Sequence, residues 1–162
     1  MNFYCPECQE VPINAPLFGL CDDEDGTKAY TNTNDSSRWI AEVKNDKNIQ
    51  LIFTAIDKCV IKDKEEPGRG RCDGMLTSQE HIYFVELKNQ RENWKSDAIT
   101  QLESTIKFFI ANHDITIYRH KKAFACNRRH PRFQEIDNET NLRFFKTYGV
   151  RIDVQATIIV VM

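Results

Sequence analysis

Two acids and an amine near the middle of the chain are spaced to meet. Residues from Arg71 to about Leu76 and from Ile82 to about Lys88 each read as a β-strand, and the polar Thr77-Ser78-Gln79-Glu80-His81 between them has hairpin spacing. A turn centred on Gln79 and Glu80 puts Asp73 directly across from Glu86. Opposed residues of an antiparallel pair have Cβ atoms about 4.5–5.5 Å apart, and like charges there destabilise the sheet. A hard divalent cation such as Mg²⁺ resolves the conflict, because it takes oxygen ligands and is held by one or two carboxylates together with water and phosphate. A register slip of two residues keeps both acids on one face, whereas a slip of one separates them. Lys88 follows Glu86 by two positions and so projects from the same face about 6.8 Å further along. An amine there can position or help deprotonate a water beside a metal and offset charge in a phosphorane-like transition state. Val85 and Leu87 point the other way, into helices or core, and the Leu87 carbonyl is a further candidate metal ligand.

These residues need a scaffold, and the pattern of elements supplies an α/β one with a mixed sheet. Ile49 to Ile61 is rich in β-branched residues and contains a buried strand. Lys62 to Gly70 is a charged turn closed by Pro67, Gly68 and Gly70. Ser96-Asp97 marks a helix start, after which Ile99, Leu102, Ile106, Phe109 and Ile110 form one apolar face. Ile115 to Tyr118 and Lys122 to Cys126 read as strands, Thr140 to Tyr148 as a helix ended by Gly149, and the tail through Val161 as a last strand. With 162 residues, 41% of them hydrophobic, the chain suits one domain: an irregular part over 1–48 and a core over 49–162.

The run Gly70-Arg71-Cys72-Asp73, then Val85-Glu86-Leu87-Lys88, then Gln101-Leu102 resembles the PD-(D/E)xK nuclease superfamily, in particular its RecB-type branch. The resemblance covers roughly residues 50–112. It implies a restriction-endonuclease-like mixed β-sheet core flanked by helices, with Asp73 and Glu86 binding Mg²⁺ or Mn²⁺, Lys88 assisting the water and Gln101 shaping the site. The activity it implies is phosphodiester hydrolysis, with DNA as the implied substrate and RNA open. It also implies a homodimer or a partner protein within a bacterial or phage defence, repair or mobile-element system. Cys72 departs from the proline or aliphatic residue usual before the aspartate. The alternative is a catalytically inactive module of the same fold that binds nucleic acid or a partner protein.

Asp57, inside Ala55-Ile56-Asp57-Lys58-Cys59, is either a third acid at the metal or a strand-end acid satisfied by backbone or a lysine. Glu42 is either the acid that an N-terminal element supplies in some proteins of the resembled superfamily or, the favoured reading, a solvated-face acid. The net charge of −2 says little, but Arg119, Lys121, Lys122, Arg128, Arg129 and Arg132 fall in one stretch without an acid, a candidate nucleic-acid-binding run, while Asp22-Asp23-Glu24-Asp25 is acidic. Trp94 and Lys95, in the loop after the second strand, are candidate contacts to a base or sugar, against the favoured reading of Trp94 as packing beneath the helix. No run reaches the roughly 18 apolar residues that span a bilayer and the first residues lack a signal-peptide layout, so a cytoplasmic protein without membrane contact is expected. The six cysteines are dispersed and read as reduced thiols, Cys59 and Cys126 as small core residues. Cys5 and Cys8 have the spacing of half a zinc ribbon with no second pair.

Overall fold

The computed structural model describes residues 1–62, 65 and 70–162. The turn expected over 62–70 therefore falls mostly outside the described residues. In chain order the elements are β1 (Leu17–Cys21), β2 (Tyr30–Asn32), β3 (Ala41–Lys44), β4 (Ile52–Ala55), β5 (Gly74–Thr77), β6 (His81–Lys88), α1 (Lys95–Asn112), β7 (His120–Asn127), α2 (Asn138–Tyr148), β8 (Arg151–Val154) and β9 (Thr157–Ile159). A central sheet runs β4-β5-β6-β7-β8, antiparallel from β4 to β6 and parallel from β6 to β8. Parallel neighbours need a long crossover. α1 provides it between β6 and β7, and α2 between β7 and β8. A second sheet runs β2-β1-β3-β9, with β9 parallel to β3.

The alternation of β6 sorts its residues between two cores. Ile82 and Phe84 pack with Leu102, Ile106 and Phe109 of α1 and with Phe144 of α2. Tyr83, Val85 and Leu87 pack with Phe18, Val43 and Ile158 of the second sheet. The central sheet is thus covered by helices on one face and by a sheet on the other. Glu86 and Lys88 are in phase with Ile82 and Phe84 and share the helix-covered face. No helix among the described residues is long and apolar enough to cross a membrane.

Several boundaries differ from the sequence reading. Residues 1–48 are not merely irregular: they build three of the four strands of the second sheet, in pieces of three to five residues that leave little periodicity to read. Ile115–Ile117 is a 3₁₀ turn in place of a strand, because the Asp114 side chain accepts from the Thr116 N–H and caps it. The tail is two strands: it leaves the central sheet after Val154 and joins the second sheet at Thr157. α2 begins at Asn138 with Asp137 as its cap and ends at Gly149, whose φ of +72° is the left-handed conformation glycine accepts without strain. The expectation of six reduced thiols is corrected at one pair, since Cys8 and Cys59 form a disulfide with Cα atoms 5.6 Å apart. That bond removes Cys8 from any zinc set with Cys5. Cys126 is fully buried between the sheets as a core residue.

Candidate metal centre

Gly74 pairs with Val85 and Thr77 with Ile82. Extending that ladder by one residue sets Asp73 opposite Glu86, the register the hairpin symmetry implies. The Asp73 N–H donates to the Val85 carbonyl (3.1 Å), and Asp73 Oδ2 accepts from the Leu87 N–H (2.7 Å). Gly74 keeps this backbone close to β4: a Cβ there would sit 2.4 Å from the Phe53 ring. Asp73 and Glu86 are 8% and 3% exposed, and their carboxyl groups lie within hydrogen-bonding reach of each other.

Two buried carboxyls in contact cannot both ionise cheaply. Burial pushes Asp73 up to about 7, against the pull of the Leu87 N–H and with a further push from the charge of Asp22. Burial, followed by the charge of Asp73, holds Glu86 well above the usual carboxylate range, while Lys88 pulls it down. Lys88 Nζ stands 3.3 Å from Glu86 Oε2 and 2.8 Å from Asp97 Oδ2. Burial pulls its amine down, but the hydrogen bond to Asp97 and the charges of Glu86 and Asp97 outweigh it, so Lys88 stays protonated above its ordinary range.

Asp97, Gln101 and Thr105 recur every four residues along one stripe of α1. Thr105 Oγ1 accepts from the Cys72 N–H (2.7 Å) and donates to the Gln101 carbonyl (3.0 Å), tying the helix to the residue before Asp73. A Cβ added at Gly70 would lie 3.7 Å from Gln101, so α1 and this segment approach closely there. Glu86 Oε1 and Gln101 Oε1 are buried without a hydrogen-bond partner among the described residues. A buried acceptor left unpaired costs about 1–3 kcal/mol.

A pair of carboxyls short of positive charge, beside unpaired oxygens, fits a hard divalent cation held by few protein ligands. Among the described residues no group of three or more His, Cys, Asp or Glu gathers as a cation cage. Asp73 and Glu86 would therefore be the protein's carboxylate ligands, with the Leu87 carbonyl, water and substrate oxygens as the rest.

No family model, curated protein or solved structure matches the chain.

Of the remaining candidates, Asp57 lies just past β4 and is engaged by Arg71 (Oδ1 to Nε 2.8 Å), an arginine where the strand-end reading had backbone or a lysine. Glu42 lies on the second sheet and accepts from Thr157 Oγ1 (3.3 Å). The basic run is divided by the length of β7. Arg128, Arg129 and Arg132 follow its carboxyl end, where Asn127 pairs with Lys88. Arg119, Lys121 and Lys122 lie at its amino end, Lys121 donating to the Tyr118 carbonyl (2.9 Å) and Lys122 pairing with Asp153 (3.3 Å). Trp94 is 4% exposed and packs in the helix-side core, as expected. Sequence reasoning missed Asp97 as the partner of Lys88 and Asp22 as a charge acting on Asp73. The spacing of Asp97 and Gln101 on one helix face was the available signal for the first.

Proposed function

We propose that the chain is a metal-dependent nuclease that hydrolyses phosphodiester bonds of DNA, with Asp73, Glu86 and Lys88 at its centre. The observation that carries this reading is the buried Asp73–Glu86 pair with the Lys88 amine 3.3 Å away. A bound Mg²⁺ or Mn²⁺ would supply a water of lowered pKa and take up charge on phosphate oxygens. Asp73 and Glu86 would hold the ion. Lys88, kept protonated between two acids, donates towards the attacked phosphate and offsets the charge that builds there. Gln101 bounds the cleft from α1. DNA before RNA follows from the resemblance.

The test is cleavage of supercoiled plasmid and of a structured RNA in Mg²⁺ and Mn²⁺. Activity that Asp73→Ala abolishes is the expected result. Retained DNA binding with no cleavage in any divalent ion would favour the inactive binding module instead. Asp97→Asn is expected to slow cleavage about 3–10-fold and to move the basic limb of the pH–rate profile to lower pH, because the amide no longer raises the Lys88 pKa. Asp97→Glu should restore most of both.

A further inference from the structure

Immediately beyond the end of β6, a recess of about 520 Å³ opens between the loop entering α1 and the loop leaving β7, lined by Arg91, Glu92, Trp94, Lys95, His130 and Gln134 among others. Its walls are fixed. Asn127, fully buried, donates through Nδ2 to the Gln90 carbonyl (2.7 Å), and its Oδ1 accepts from the Gln90 and Arg129 N–H groups (3.3 and 3.0 Å). His130 Nε2 lies 2.6 Å from the Arg91 carbonyl, so that nitrogen carries the proton, and the ring is held within 4° of parallel to Trp94.

The lining carries two cations, Arg91 and Lys95, against one acid. Among the described residues the Arg91 and Lys95 side chains make no ion pair and no hydrogen bond, and Trp94, 4% exposed, forms the floor between them. The one acid of the lining, Glu92, is exposed. Preformed walls carrying unpaired donors suit an anion with several oxygens, and a guanidinium fork matches phosphate in particular. Arg91 lies three residue steps along the chain from Lys88, a Cα span of at most about 11 Å, or about three nucleotide steps of helix rise.

We propose that this recess binds a backbone phosphate of the nucleic-acid strand next to the bond that is cut, with Arg91 and Lys95 as its cations. The assignment of that strand as substrate rests on the nuclease reading. Binding of a fluorescein-labelled DNA oligonucleotide to the full chain, in Ca²⁺ and at 50–200 mM salt, tests it. Arg91→Ala with Lys95→Ala should weaken binding at least about tenfold and flatten the slope of log K against log salt by about 0.7–0.9, as the loss of one neutralised phosphate requires. Lys146→Ala, on the exposed side of α2, should change affinity less than about twofold.

The rise in Tm caused by Mn²⁺ reports on the carboxylate pair separately. Weakened DNA binding with that rise intact supports the proposal. Unchanged affinity and slope in the double variant, or no binding by the unsubstituted chain, overturns it and leaves the metal centre standing. Weakened binding in a protein that shows no Mn²⁺ response removes the metal reading and keeps the recess. Competition by 5′-deoxyadenylate as effective as that by unlabelled oligonucleotide would overturn the strand assignment in favour of a free nucleotide.

Discussion

Glu86→Gln is expected to yield a protein that is more stable than the parent chain at pH 8 without metal and that no longer cleaves DNA. The carboxyl of Glu86 is 3% exposed, touches Asp73, and is held well above the usual carboxylate range by burial first and by Asp73 second. A group whose folded pKa exceeds its unfolded value binds more protons in the folded state, so stability falls as pH rises between the two values. Near pH 4 the carboxyl is protonated in both states and costs nothing; above its folded pKa the whole penalty is present. Glutamine reproduces the neutral, donating form at every pH. The stability difference between Glu86→Gln and the parent should therefore be near zero at pH 4 and grow with pH towards about 1–3 kcal/mol, the cost of a buried polar group without its partner, with the lost contact to Lys88 offsetting part of the gain. That is a gain of about 2–12 °C in Tm at pH 8. Cleavage should fall by at least about a thousandfold, the scale of losing a principal electrostatic contributor to the transition state.

The same linkage sets the response to metal. A cation at Asp73 and Glu86 displaces the proton they share, so its binding strengthens as pH rises through the Asp73 value of about 7. Mn²⁺ should raise the Tm of the parent chain at pH 8, have little effect at pH 5, and leave Glu86→Gln unchanged at either pH. Scanning calorimetry at the two pH values, with and without millimolar Mn²⁺, reads each of these effects. A parent chain indifferent to Mn²⁺ at pH 8, or a Glu86→Gln variant less stable throughout, contradicts the account.

The Asp73–Glu86 register was legible because both residues belong to one hairpin, whose pairing depends on a three-residue turn and on alternation along β6. Local pattern also placed α1, since its apolar face recurs over several turns, and the end of α2 at Gly149, though not its start at Asn138, which Asp137 caps and which lies two residues before Thr140. What escaped depends on contacts distant in sequence. An acid in the first turn of a helix such as Asp97 reads as a partner of the helix dipole, and its spacing from Gln101 marks a shared helix face without saying that Lys88 comes within 2.8 Å. Asp22 acts on Asp73 only because the second sheet lies against the central one, and strands of three to five residues carry too little alternation to announce that sheet. The tail shows the same limit. Residues 151–159 are β-branched enough to read as one strand, but Gln155 turns its amide onto the Thr157 carbonyl (2.6 Å) and the chain changes sheets there.

Reduction of the Cys8–Cys59 bond is expected to lower Tm by about 8–16 °C. The bond closes a loop between residues 51 apart in sequence, and a cross-link of that span restricts the unfolded chain by about 4 kcal/mol. For a chain of this length each kcal/mol moves Tm by about 2–4 °C. The native side of the balance changes little, because other contacts also seat the N-terminal segment. The Phe3 ring packs edge-on against Phe108 and Phe109, the Phe3 N–H donates to His113 Nε2 (3.0 Å), and Gln9 and Ile13 bridge to Thr54 and Leu51. Reduction should therefore lower stability without unseating the segment, and the Mn²⁺ response should survive it, since neither sulfur touches Asp73 or Glu86. Calorimetry with and without a phosphine reductant measures the effect, and Cys8→Ser and Cys59→Ser should each match the reduced parent. A shift below about 2 °C would mean that the bond contributes no cross-link to the protein in solution. The result bears on location as well: a reducing cytosol keeps thiols reduced, so a cytoplasmic protein would work in the less stable form, and the number of thiols alkylated in freshly lysed cells distinguishes the two states.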